Sequence, residues 1–136
     1  MNQDESVKAF KNELRNYQYY QKRVKDIDEQ IELCFYNLGG ARGVDPSREP
    51  IHAPTNKDVE YIIRDKIERL ERSKSLLIDK INYIDSVVDK ISDKDMVLEV
   101  LVAGKTLESV CGKYYLSKNG LAKIINRKIE RALKEL

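Results

Sequence analysis

Two long, proline-free stretches with regularly spaced apolar residues constrain this chain more than any other feature. Between Asp4 and Leu38, the residues Val7, Phe10, Leu14, Tyr17, Tyr20, Val24, Ile27, Ile31, Cys34 and Leu38 follow one another in steps of three and four. Such steps line up on one face of a helix and leave the other faces polar. One extra step of three, from Tyr17 to Tyr20, marks a local phase slip in a coiled-coil-like seam. A second seam runs from about Lys57 through Val59, Ile63, Ile67, Leu70, Leu77, Ile81, Ile84, Val88 and Ile91, with Lys74 as its polar interruption. At about 1.5 Å per residue, each helix would reach roughly 50 Å. Neither buries its stripe alone. The pattern therefore predicts a long antiparallel helical hairpin over residues 1–91, with a second copy of the chain as a candidate partner in a homodimer.

Between the two seams the composition changes. Residues 39–56, GGARGVDPSREPIHAPTN, hold all three prolines and three of the six glycines. Proline removes a backbone donor and biases the residue before it away from helix, so this stretch is expected to be a loop. It is longer than most connections. Thr55 and Asn56 are candidate N-caps for the helix that follows, Thr55 with Asp58 as a weak capping box. Arg42 and Arg48 could reach a neighbouring phosphate or simply solvate the loop. His52, the lone histidine, reads as a solvated loop residue.

The chain beyond Ile91 reads as three shorter helices, a unit over residues 92–136. Ser92 or Asp93 is expected to cap a helix from Lys94 to Ala103, with Leu98, Leu101 and Val102 inward and Gly104 ending it in a left-handed conformation. Thr106 caps the next helix, to Tyr114, in which Cys111 reads as a small buried hydrophobe. Gly112, unfavourable in a helix, has close packing as one explanation. A sharp turn at Leu116–Ser117 leads to a last helix with Leu121, Ile124, Ile125, Ile129, Ala132, Leu133 and Leu136 on its apolar side. The fold class is all-α. Two helices joined by a short turn, the second basic, form the pattern of a DNA-binding helix-turn-helix.

Charge points the same way. The net charge is only +2, but Lys105 to Leu136 carries eight Lys/Arg against three Glu. Concentrated positive charge of this kind suits a polyanion. The outward side of the last helix offers Lys118, Asn119, Gly120, Ala122, Lys123, Asn126 and Arg127. Lys and Arg reach guanine edges or phosphates, and Asn pairs with adenine edges. Small residues at 120 and 122 let a helix sit deep in a groove. Lys105 and the amide end at Thr106 are suited to a phosphate, and Ser117 is the cap that sets the helix. A solvated basic face on a packed C-terminal helix is the plainer alternative.

Other chemistry is not expected. Cys34 and Cys111 lack metal-ligand spacing. Tyr17 and Tyr20 fall on the first seam, which favours core or interface over the base-stacking or nucleophilic roles open to a group such as Tyr17, Tyr19 and Tyr20. No phosphate-binding glycine loop or Ser/His/Asp set is present, so neither catalysis nor a cofactor is expected. No apolar run nears the roughly 18 residues that cross a bilayer. Met1 is followed by no apolar signal segment. No membrane association is expected, and a cytoplasmic location is.

The order of an apolar helix, Gly104, Thr106, Leu107, Glu108, Val110, Cys111, then Leu116, Ser117 and Leu121 resembles the C-terminal DNA-binding region, region 4, of sigma-70-type factors. The whole chain, with Tyr83-Ile84-Asp85 upstream, is similar to phage late-gene transcriptional regulators of the ArpU/RinA type. That resemblance implies recognition of double-stranded DNA at promoters and contact with RNA polymerase. Two positions depart from the family pattern. Tyr115 stands where Gly is usual before the turn, which implies a strained left-handed residue, a rearranged turn or a register shifted by one. Val100-Leu101 stands where Arg-Tyr is common in relatives. A small terminase subunit, which also joins such a motif to oligomerising helices, is the alternative within DNA binding. A helical module that docks on protein is the alternative outside it.

Overall fold

The computed structural model describes residues 3–40 and 56–136, and these are mostly helical, with no strand among them. The elements are α1 (Gln3–Arg15), α2 (Tyr17–Gly40), α3 (Asn56–Val88), α4 (Lys94–Leu101), α5 (Leu107–Cys111), a 3-10 turn (Gly112–Tyr114) and α6 (Lys118–Lys134). Arg42, Arg48, His52 and Thr55 lie outside the described residues.

The first seam is broken once. The helix expected from Asp4 to Leu38 divides at Asn16 into α1 and α2, beside the phase slip. The Asn16 side-chain amide donates to the Asn12 carbonyl at 3.0 Å, and the Asn16 N–H is shared between the Asn12 and Glu13 carbonyls. An Asn side chain that competes for a helical carbonyl loosens the ladder at that point. The apolar positions on either side keep their place. Val7, Phe10, Leu14, Tyr20, Ile27 and Cys34 are buried, and Tyr17, Val24, Ile31 and Leu38 are half-buried.

Compactness separates Met1–Gln21 with Asp79–Leu136 from Lys22–Ile78. In the second of these units Ile27, Cys34 and Ile67 are buried. Lys74, the polar residue in the second seam, reaches Asp28 at 2.5 Å, an ion pair linking α2 to α3. Its long apolar stem lets a lysine hold a seam position while its charge sits outside.

The first unit carries the larger core: Val7, Phe10, Leu14, Ile84, Val87, Ile91, Met96, Val97, Leu101, Val110, Leu121, Ile125, Ile129 and Ala132. Within it α1 packs along α6, and α4 touches both α1 and α5. Phe10 meets Tyr83 edge-on at 6.3 Å between centroids, and Lys80 lies over the Tyr20 ring at 5.1 Å. Burial of this size is worth about 1.5–3 kcal/mol for each large aliphatic side chain.

Several expectations change in detail. α3 ends at Val88 and closes through bonds from Lys90 to Val87 and Ile91 to Val88. Val87, one ordinary three-residue step beyond the buried Ile84, is fully inward, and Val88 is half-buried. α4 is shorter than expected, and Met96 and Val97 join Leu101 inside it, while Leu98 and Val102 are half-buried. Asp93 sits at its N-cap position in a left-handed conformation and makes no side-chain cap bond. Ser92 is drawn elsewhere, its carbonyl and hydroxyl accepting from Lys128. Leu136 is exposed, beyond the end of α6. Cys111 is half-buried, its thiol against the Glu108 carbonyl, and both cysteines are free.

Tyr17 donates its phenol to Asp85 at 2.7 Å. Burial first, then the bond to Asp85 and its negative charge, push the Tyr17 hydroxyl up to about 12. Tyr20, buried and bonded to Glu13, moves in the same direction. A folded-state value above the ordinary 10.0 means that Tyr17's contribution is complete below pH 10 and fades as pH rises through about 12. Tyr17→Phe should therefore flatten the alkaline loss of stability. Urea midpoints measured from pH 8 to 12, within the span of the ordinary tyrosine range, check this: parallel curves for the two proteins would contradict it.

Candidate nucleic-acid interface

The α5–α6 region is assembled from two side-chain caps and one left-handed residue. Thr106 is extended, and its hydroxyl accepts from the Ser109 N–H at 3.2 Å. The helix it starts runs into the 3-10 turn and stops at Tyr115, with φ 57° and ψ 38°. The departure expected from the sequence is thus a strained left-handed tyrosine in the original register, with its side chain 97% exposed. The Leu116 N–H then bonds to the Cys111 carbonyl at 3.0 Å. Ser117 is extended, and its hydroxyl accepts from the Gly120 N–H at 3.0 Å. A side chain at residue 120 would meet that hydroxyl at 3.0 Å, so Gly120 leaves room for the cap as well as keeping the surface low. Gly112 has open space where its side chain would be, which removes close packing as its reason.

Leu121, Ile125, Ile129 and Ala132 are buried, and Ile124 and Leu133 half-buried. That burial fixes the rotation of α6 about its axis. Lys118, Asn119, Lys123, Asn126 and Arg127 are exposed, and Gly120 and Ala122 are partly so. Asn119, Lys123 and Asn126 follow at four and three residues and share one stripe, with Arg127 at its edge, while Lys118 is exposed in the first turn on the side of Glu108. Lys105, Thr106 and Ser117 are exposed at the starts of α5 and α6.

Not every charge in the region is free to face outward. Lys118 lies 3.5 Å from Glu108 of α5, a solvated pair worth little by itself. Lys113 is held by Glu99 at 2.6 Å, which lowers the Glu99 carboxyl and raises the Lys113 ammonium. Lys128 is half-buried against Ser92 and Asp93 and acts as a strut between α6 and the start of α4.

One group of residues was not singled out from the sequence. Asn126 accepts from Lys11 of α1 at 3.1 Å. Lys8, Lys11, Asn12 and Arg15 line a cleft with Asn126 and Glu130. Their spacing along α1 is visible in the sequence as a polar stripe, but its apposition to α6 is a long-range contact that periodicity does not encode.

Among the described residues no cluster of three or more His, Cys, Asp or Glu side chains could hold a metal ion. No described helix is long and apolar enough to cross a membrane. A scan against protein-family models and searches of curated proteins and solved structures found no match.

The turn itself is open to test. A non-glycine residue in the left-handed region is strained by about 1 kcal/mol or more, and the exposed Tyr115 ring has little packing to lose. Tyr115→Gly should raise the unfolding free energy by about 1 kcal/mol. A denaturant midpoint that falls on substitution would show that the tyrosine makes a compensating contact.

Proposed function

We propose that the chain is a sequence-specific DNA-binding transcriptional regulator, with α5 and α6 as a sigma-region-4-like helix-turn-helix and α6 as its recognition helix. The observation that carries this reading is the exposed stripe of Asn119, Lys123, Asn126 and Arg127 on a helix whose opposite side is buried and whose start, with the exposed Lys118, is capped by Ser117. Cations and amides on one groove-sized ridge match the donors that base edges and phosphates accept. The resemblance to phage late-gene regulators makes promoter control in a phage or prophage the setting. In the same proposal the helices of residues 1–91 form an antiparallel hairpin that dimerises or meets RNA polymerase. The α2–α3 ion pair Asp28–Lys74 supports the hairpin. A dimer would bind half-sites spaced by about 10 base pairs or a multiple.

Duplex fragments selected from the phage genome supply the specific target, and random duplex the reference. Asn119→Ala should relax preference at one base position, a change of about 1–3 kcal/mol in discrimination. Lys123→Ala, placed on phosphate, should weaken specific and random duplex alike. Equal losses on both duplexes for every variant of Lys118, Asn119, Lys123 and Arg127 would remove the base-reading role.

Glu108 adds a negative charge beside Lys118 on the same surface. Glu108→Gln is expected to tighten binding to any duplex by about two- to fivefold, through removal of repulsion and release of Lys118. Fluorescence anisotropy at low salt measures it, and an unchanged or weaker affinity would mean that Glu108 lies away from the DNA.

A further inference from the structure

The cleft between α1 and α6 has a volume of about 380 Å³ and is markedly cationic at its α1 wall. Lys8, Lys11 and Arg15 stand there against one carboxylate among the described residues, Glu130, which also pairs with Lys134 at 3.4 Å. Positions 8, 11, 12 and 15 are the i, i+3, i+4 and i+7 sites of one helical face. That face is about 10 Å long, or about three base steps at 3.4 Å each. Lys8 and Arg15 are exposed and Lys11 is half-buried. Burial first, and then the nearby Arg15 charge, make the Lys11 ammonium easier to deprotonate than an ordinary lysine.

The location of this wall gives it meaning. Lys11 donates to Asn126, and Asn126 belongs to the exposed stripe of α6, with Arg127 beside it and Lys123 one turn earlier. The cationic face of α1 therefore abuts the amide and cationic face of α6 within one compact unit. We propose that Lys8, Lys11 and Arg15 form a phosphate-gripping ridge that holds the backbone of the duplex lying against α6. This rests on the DNA-binding reading of α6 and extends it. α1 supplies affinity without sequence information, and Asn12 adds an amide donor to the same ridge. The core contact between α1 and α6 keeps the two binding elements in register, so a duplex seated on one meets the other without a rearrangement.

The test uses the full chain and a fluorescent random-sequence duplex of about 25 base pairs, titrated from about 50 to 200 mM salt. Each phosphate contact contributes about 0.9 to the slope of log K against log salt. The triple variant K8Q/K11Q/R15Q should lower the slope by about 2 to 3 and weaken binding by about ten- to a hundredfold at low salt. Preference between the selected target and random duplex should be unchanged in K8Q/R15Q, which keeps the Lys11–Asn126 bond, and K8R/K11R/R15K should restore the slope. If the wild-type chain does not bind the duplex, the reading of α6 fails and the ridge fails with it. If the wild type binds and the triple variant keeps its slope, the ridge alone is overturned. Should the triple variant lose its thermal transition, Lys8→Gln and Arg15→Gln singly, both at exposed positions, replace it. Each should reduce the slope by about 1, and no change in either would overturn the proposal.

Discussion

Leu121, Ile125, Ile129 and Ala132 leave water in a single line along α6, and a helix satisfies that demand at only one rotation about its axis. Once those four are inside, the direction of every other side chain on α6 is set. Asn119, Lys123 and Arg127 face outward because their neighbours face inward, and Lys118 is exposed because it opens the helix. Removing one of the large buried aliphatics would cost about 2–5 kcal/mol, so the outward ridge is held as firmly as the core itself. The caps at Thr106 and Ser117 then determine where the helices begin, and the left-handed Tyr115 determines the angle at which the chain passes between them.

The core that receives this stripe is not built by the last three helices alone. Phe10 and Leu14 of α1 and Ile84 and Val87 of α3 are buried in the same compact unit as α4, α5 and α6. A short α5 of five residues has too few hydrogen bonds to stand without such support. Lys128 ties the middle of α6 to the start of α4, and the Glu99–Lys113 pair ties α4 to the 3-10 turn. Polar struts of this kind are weak singly, yet they join elements that the apolar core already places side by side.

Periodicity carried most of the local structure. The steps of three and four in α1, α2 and α3, the hydroxyl caps at Thr106 and Ser117 and the left-handed Gly104 all depend on nearest-neighbour physics, and each was readable from residue type and spacing. The break at Asn16 was visible only as a phase slip, because competition by one side-chain amide leaves no periodic signature. Val87 and Val88 both lie on the seam side of α3, three and four residues beyond Ile84, and periodicity alone does not decide which of the two is the deeper. Neither of the two candidate caps, Ser92 or Asp93, makes a cap bond: Ser92 accepts from Lys128, and Asp93 takes a left-handed conformation at the N-cap position. For the candidate interface, the outward stripe of α6 followed from its inward one. The cationic wall of α1 did not, because it depends on a contact between residues 115 positions apart.

Residue-by-residue NMR of the intact chain during titration with a selected duplex tests the proposed DNA-binding role of α6 most directly. The largest shifts are expected at Lys118, Asn119, Lys123 and Arg127, with Asp28 and Lys74 of the other compact unit unmoved. Shifts confined to α2 and α3, or none along α6 at saturating duplex, would contradict the assignment of α6 as the reading helix.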